Sequence, residues 1–137
     1  MSYEQARKDI QGHIATYLTA VDSTKIAWDN VKFNIPTDKS EWCRVSVQNN
    51  ISNHKSFGPN KRTRREGIIF VQVFCIENTN TLSLNQITDN VVEIFETKLL
   101  SGVKFQSPNV NEVGVSDGWF QVNISVPFYF DDITTIS

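Results

Sequence analysis

The sequence predicts an α+β fold: a single domain built on an antiparallel or mixed β-sheet, with two α-helices packed on one face and a long loop between two of the strands. Three observations lead to it. From Trp119 to Phe130 the chain alternates with period two, placing Phe120, Val122, Ile124, Val126, Phe128 and Phe130 on one face. From Gly67 to Ile76 it is apolar on both faces except at Gln72, as a central strand covered on both sides would be. Two other segments repeat apolar residues at helical spacing, and each opens on a capping box.

The first helix is expected from Tyr3 to Ala20, opened by Ser2-Tyr3-Glu4-Gln5 and striped by Tyr3, Ala6, Ile10, Ile14, Tyr17 or Leu18, and Val21. Gly12 sits inside it at a cost of about 1 kcal/mol relative to Ala. Strands follow at Val31 to Ile35 and at Trp42 to Gln48, where Cys43, Val45 and Val47 alternate with Arg44 and Ser46. A polar connection from Asn49 to Arg65 then reads as the long loop, before the Gly67 to Ile76 strand. Compact domains join strands with about 2 to 5 residues, so a connection of about 17 is a working part or a disordered one. The second helix is expected from Leu84 to Leu100, opened by Ser83-Leu84-Asn85-Gln86, with Leu84, Ile87, Val91, Ile94 or Phe95, and Leu99 as its stripe and Gly102 as a stop. A hairpin closes the chain: Asn109 to Val115, a Ser116-Asp117-Gly118 turn, and Trp119 to Phe130. Six fully buried positions on that last strand, at about 1.5 to 3 kcal/mol each, make its Phe face core and not a ligand pocket. Pro127 cannot donate to a ladder and is read as an edge or a strand end. One layer of two helices covers only one face of a sheet, so the other face must meet a loop, a second sheet or another subunit.

At 137 residues and 39% hydrophobic, the chain suits one core and residues 1–137 are read as one domain. Its formal net charge of -2 argues against a dedicated nucleic-acid binder, but the charge is segregated. Trp42 to Arg65 carries six bases and no acid, whereas Phe105 to Ser137 carries four acids and no Lys or Arg. The two stretches are either separate solvated surfaces or complementary faces that meet between copies of the chain. No window approaches a membrane span and the N-terminus lacks the apolar core of a signal peptide, so a soluble protein made in the cytoplasm is expected. Cys43 and Cys75 each fall in an apolar strand pattern and are expected to be reduced and inert. Asn50-Ile51-Ser52 and Asn123-Ile124-Ser125 match a glycosylation sequon, which carries little meaning without a secretory route.

The search for chemistry returns nothing with the right spacing. His13 and His54 lack Cys, His or carboxylate partners placed to hold a metal, and Asp9 with His13 reads as a surface hydrogen bond. There is no nucleophile elbow and no phosphate-cradling glycine loop, and Asp131 beside Asp132 points its two carboxylates apart on an extended chain. No enzyme, cofactor or metal is expected. Lys61-Arg62-Thr63-Arg64-Arg65 could make up to four phosphate contacts, giving a salt slope near about -3.6, typical of weak non-specific binding. A small nucleic-acid-binding module acting through the basic segment 54–65 is therefore the rival from the residues alone.

Four stretches in order resemble the tail terminator-like proteins of tailed bacteriophages. Ile26-Ala27-Trp28-Asp29-Asn30-Val31 looks like the lead-in to that family's first strand and Glu41-Trp42-Cys43-Arg44-Val45 like the next strand. Arg65-Glu66-Gly67-Ile68-Ile69-Phe70-Val71-Gln72-Val73-Phe74 is similar to its arginine-x-glycine approach to the central strand. Gly118-Trp119-Phe120-Gln121-Val122 through Val126-Pro127-Phe128-Tyr129-Phe130-Asp131 looks like its closing strand. A departure is Asn78-Thr79-Asn80-Thr81, where relatives often carry a glycine-rich turn. The resemblance implies a structural virion protein of the tail, assembled in the host cytoplasm as a ring, a homohexamer, on the finished tail tube. Such a ring stops tube growth and presents the surface that joins the head. Its implied partners are other copies of itself, the major tail tube protein, a head-tail connector protein and DNA passing through the lumen without sequence preference, with no membrane. On this reading Lys55, Lys61, Arg62, Arg64 and Arg65 face the lumen or the next subunit. Another neck or head-completion protein is the related alternative.

Overall fold

The computed structural model describes residues 2–37, 40–54, 60–76 and 82–135. They form helix α1 (Tyr3–Tyr17), a single 3-10 turn (Ser23–Lys25), strands β1 (Ile26–Ala27), β2 (Trp42–His54) and β3 (Asn60–Ile76), helix α2 (Leu82–Glu96), and strands β4 (Lys104–Phe105), β5 (Asn109–Ser116) and β6 (Trp119–Thr135). The six strands make one sheet in the order β1-β2-β3-β6, with β4 and β5 sharing the far side of β6. Only β1 pairs in parallel, so the sheet is mixed and the fold is α+β.

Alternation does what the sequence pattern requires. Cys43, Val45 and Val47 of β2, Ile69, Val71, Val73 and Cys75 of β3, and Val122, Ile124, Val126, Phe128 and Phe130 of β6 are all buried on one face. They form a single core with Ala6, Ile10 and Ile14 of α1 and Leu84, Ile87, Val91, Ile94 and Phe95 of α2. Ser2 caps α1 as its sequence predicts, accepting a hydrogen bond from the Gln5 amide at 3.1 Å.

Both helices differ from their predicted bounds. Helix α1 stops at Tyr17, short of Ala20, because Asn90 of α2 takes the chain's next donors: its Oδ1 accepts from the Thr19 and Ala20 amides, each at 3.0 Å. Helix α2 begins at Leu82, which places Ser83 inside the helix and not at its cap, and ends at Glu96. Gly102, with φ of 85°, serves the tight turn bridging Leu100 and Val103 and does not end the helix.

Three further expectations need correction. Val31 to Ile35 is not a strand: the chain leaves the sheet at a turn where Asn30 takes φ of 57°, and Val31 and Ile35 are 60% and 49% exposed. The first strand is instead the short, buried Ile26–Ala27 beside Cys43 and Arg44. Pro127 lies in a strand with neighbours on both sides, neither at an edge nor at the strand's end. Its carbonyl accepts from the Gln106 amide at 2.8 Å, so its nitrogen also faces the gap between β4 and β5, where the β3 ladder loses no donor.

The largest correction concerns the long loop. Asn49–His54 and Asn60–Arg65 are not loop but the ends of β2 and β3, paired from Asn49 opposite Gly67 to His54 opposite Thr63 across a bulge at Asn50. Beyond Gly67 the seven residues of β3 continue for about 24 Å, and β6 follows them to Thr135. The sequence shows no apolar alternation there because Asn60 to Glu66 are all polar.

The hairpin between β5 and β6 follows its sequence. Asp117 and Gly118 both have positive φ, 53° and 83°, the two-residue turn that matches strand twist. Gly114, φ 99°, sits at a bulge after Glu112.

Candidate functional site

The predicted basic site divides under the structure. Lys55 lies outside the described residues, as does the Asn78–Thr81 tract. Lys61 and Arg62 occupy β3 opposite Thr134 and Ile133. Arg64 and Arg65 lie on opposite faces of the same strand, and each meets an acid from β6.

Arg64 stands directly across from Asp131. Its Nε donates to Asp131 Oδ1 at 3.0 Å and its Nη2 to Oδ2 at 3.3 Å, a two-point contact that fixes the guanidinium plane. The same group lies 4.2 Å from the Tyr129 ring centroid, and the hydrogen bond to Asp131 pushes its pKa further upward. On the helix side, Arg65 Nε contacts Asp132 Oδ2 at 3.3 Å, its Nη1 donates to the Tyr3 hydroxyl at 2.8 Å, and it lies 4.7 Å from the Tyr3 ring centroid. Tyr3 in turn packs edge-on to Phe130 at 5.9 Å. The basic stretch and the acidic C-terminal stretch therefore meet within one subunit, at these two pairs, where the sequence suggested either solvated surfaces or contacts between copies.

A third charged pair lies beside β2, at the other end of the sheet. Arg7 Nη1 and Asp29 Oδ2 are 3.0 Å apart; Asp29 accepts from the Val47 amide at 2.9 Å, and Arg7 Nη2 donates to the Val47 carbonyl at 3.1 Å. These side chains occupy the backbone groups that β2 turns outward, which blocks another strand from pairing there. Beside them, between α1 and the Trp28–Val31 turn, lies an open hollow of about 780 Å³. Sequence reasoning missed this pair; Arg7 and Asp29 are 22 residues apart and no short motif joins them.

The face of the sheet away from the helices is covered at one end only among the described residues. Trp42 is buried there, stacked on Phe74 at 4.1 Å and Phe33 at 5.3 Å with Trp119 edge-on at 6.1 Å. Among the described residues its indole N–H has no partner. Farther along, Ile68, Phe70 and Tyr129 are half-buried.

The described residues hold no cluster of three His, Cys, Asp or Glu side chains able to bind a metal. Asp9 accepts from Gln5 Nε2 at 2.7 Å, and His13 turns inward, its Nε2 donating to the Ile94 carbonyl at 2.7 Å, so the expected Asp9–His13 surface bond is replaced by a buried link between the helices. Both cysteines are buried, and burial pushes the Cys43 thiol up to about 12. Among the described residues no helix is long and apolar enough to cross a membrane.

What the fold and these contacts define is a structural α+β domain whose polar side chains brace its sheet and guard its edges. The chain belongs to the phage tail terminator protein family, whose sequence profile matches residues 7–128, and is thus a structural component of bacteriophage tail assembly. A solved structure, whose own name states no function, aligns with 100% of this chain and 99% of its own length, with a TM-score of 0.71 and 18% identity; it supports the fold alone. No curated protein matches the chain.

Proposed function

We propose that this chain ends tail-tube growth by capping the tube as a ring, a homohexamer, and that the exposed side of the ring joins the head. Membership of the tail terminator family carries the proposal. The shape of the sheet supports it: an open sheet with a side-chain-guarded strand at one end, the exposed edge strand β5 at the other, and a second face that the described residues cover only at its Trp42 end suits a subunit completed by neighbours. Partners on this reading are further copies, the major tail tube protein, the connector on the head and DNA passing without sequence readout. Arg64 and Arg65 enter such a ring already paired with Asp131 and Asp132, so a phosphate would have to compete with carboxylates for them. The segment carrying Lys55, Lys61 and Arg62 is the part of the basic stretch assigned to the lumen or the next subunit.

The test is polymerisation of the cognate tail tube protein with and without this chain, with light scattering to follow mass. An oligomer, formed alone or on contact with tube protein, and shortened tubes are expected. A monomer that neither binds nor shortens tubes would remove the proposal.

A further inference from the structure

The two ends of the sheet carry surfaces that complement each other. At one end is β5, an edge strand bonded only to β6. Val110, Glu112 and Val115 stand opposite Ile124, Val122 and Phe120, so they share the helix side of the sheet. The helix layer does not reach them: Val110 and Val115 remain 50% and 56% exposed. Exposed valines on an unpaired edge are an association hazard unless something covers them.

At the other end, also on the helix side, is the hollow of about 780 Å³ between α1 and the Trp28–Val31 turn. Arg7, Gln11 and Ala15 recur every four residues on the flank of α1 that faces β2, and Gly12 widens the hollow because a Cβ there would meet nothing within 4 Å. Trp28 and the exposed Val31 give it apolar walls. Beside the lining residue Val31 the chain carries exposed Lys32, whereas β5 belongs to a stretch with acids and no base. Asp29 and Arg7, which both line the hollow, are paired with each other and bonded to Val47, so neither is a spare charge. Because those same side chains occupy Val47, an incoming strand cannot simply extend the sheet there and must dock through side chains.

We infer that β5 of one subunit seats in the α1–Trp28 hollow of the next, with Val110 and Val115 entering the hollow and Glu112 meeting Lys32 beside it. The occupant is a second copy of this chain: both surfaces lie on the same side of one sheet at opposite ends, Glu112 on β5 and Lys32 beside the hollow are opposite in charge, and head-to-tail contacts of this kind form a ring where the rotation between subunits closes. The inference rests on the ring reading above and locates its subunit contact.

The test uses two full-length variants, Gly12→Leu in the hollow and Val115→Asp on β5, each checked by thermal unfolding. Neither side chain is packed inside the subunit, so both should fold. Sedimentation should show each alone with a dissociation constant raised roughly tenfold or more. A 1:1 mixture should form heterodimers and stop, because each variant retains one working surface. If either folded variant assembles like the native chain, or the mixture gives no heterodimer, this contact is overturned while the ring stands. If the native chain stays monomeric even with tail tube protein, the ring reading falls and this contact with it.

Discussion

Gly67 shows how a single residue sets the geometry of this sheet. A Cβ there would collide with the Gln48 carbonyl oxygen and lie 2.6 Å from the Phe128 ring, so only glycine lets that ring cross the strand. Gly67→Ala should destabilise the fold by about 2 to 3 kcal/mol, read as a lower urea midpoint with unchanged slope. Cys43 illustrates the opposite case, a reactive group silenced by burial. Its thiol is raised from 9 to about 12, so the native state favours the protonated form. The sign follows: this contribution is fully present below pH 9, where folded and unfolded thiols are both neutral, and is lost as pH rises from 9 towards 12 and the unfolded chain ionises. A thiol reagent at pH 8 should find both Cys43 and Cys75 silent until the protein unfolds; rapid native labelling would contradict their placement. His13 has a packing role too, since its Nε2–H answers a carbonyl in the last turn of α2 and sits among Tyr17, Phe95 and Phe105.

Among the elements, the β2–β3–β6 ribbon is where sequence and structure part most. The β6 strand was plain from its period-two pattern and the helices from their stripes, because in each case a buried face imposes a repeat. In the outer ribbon Asn60 to Glu66 are all polar, so no apolar repeat marks them. Arg64 and Arg65 look like loop charge in isolation and become strand residues only when Asp131 and Asp132, 67 residues away, stand beside them. Likewise the hollow beside α1 could not be read from the chain, since its walls come from a helix and a turn joined by Arg7, Asp29 and Val47. Replacing Arg64 and Arg65 together with serine should loosen this ribbon without unfolding the core. Hydrogen exchange should quicken in 60–66 and 130–135 while Val71, Val73, Val122 and Ile124 keep their protection. Equal loss in both regions would show that the two arginines hold up the whole sheet.

At the scale of the whole molecule, the charge segregation seen in the sequence has two destinations. Part is spent inside the subunit, where Asp131 and Asp132 hold Arg64 and Arg65. What is left of the acidic stretch, Glu112 on β5 and Asp117 in the turn after it, is exposed at one end of the sheet, and exposed Lys32 lies at the other. A subunit with opposite ends of this kind is suited to neighbours of its own kind, in keeping with a tail terminator. The measurement that tests this most directly is the length distribution of tail tubes grown with increasing amounts of this chain. The account predicts tubes that shorten with dose and carry one ring at a terminated end. Tubes of unchanged length, with the chain remaining monomeric in solution, would contradict it.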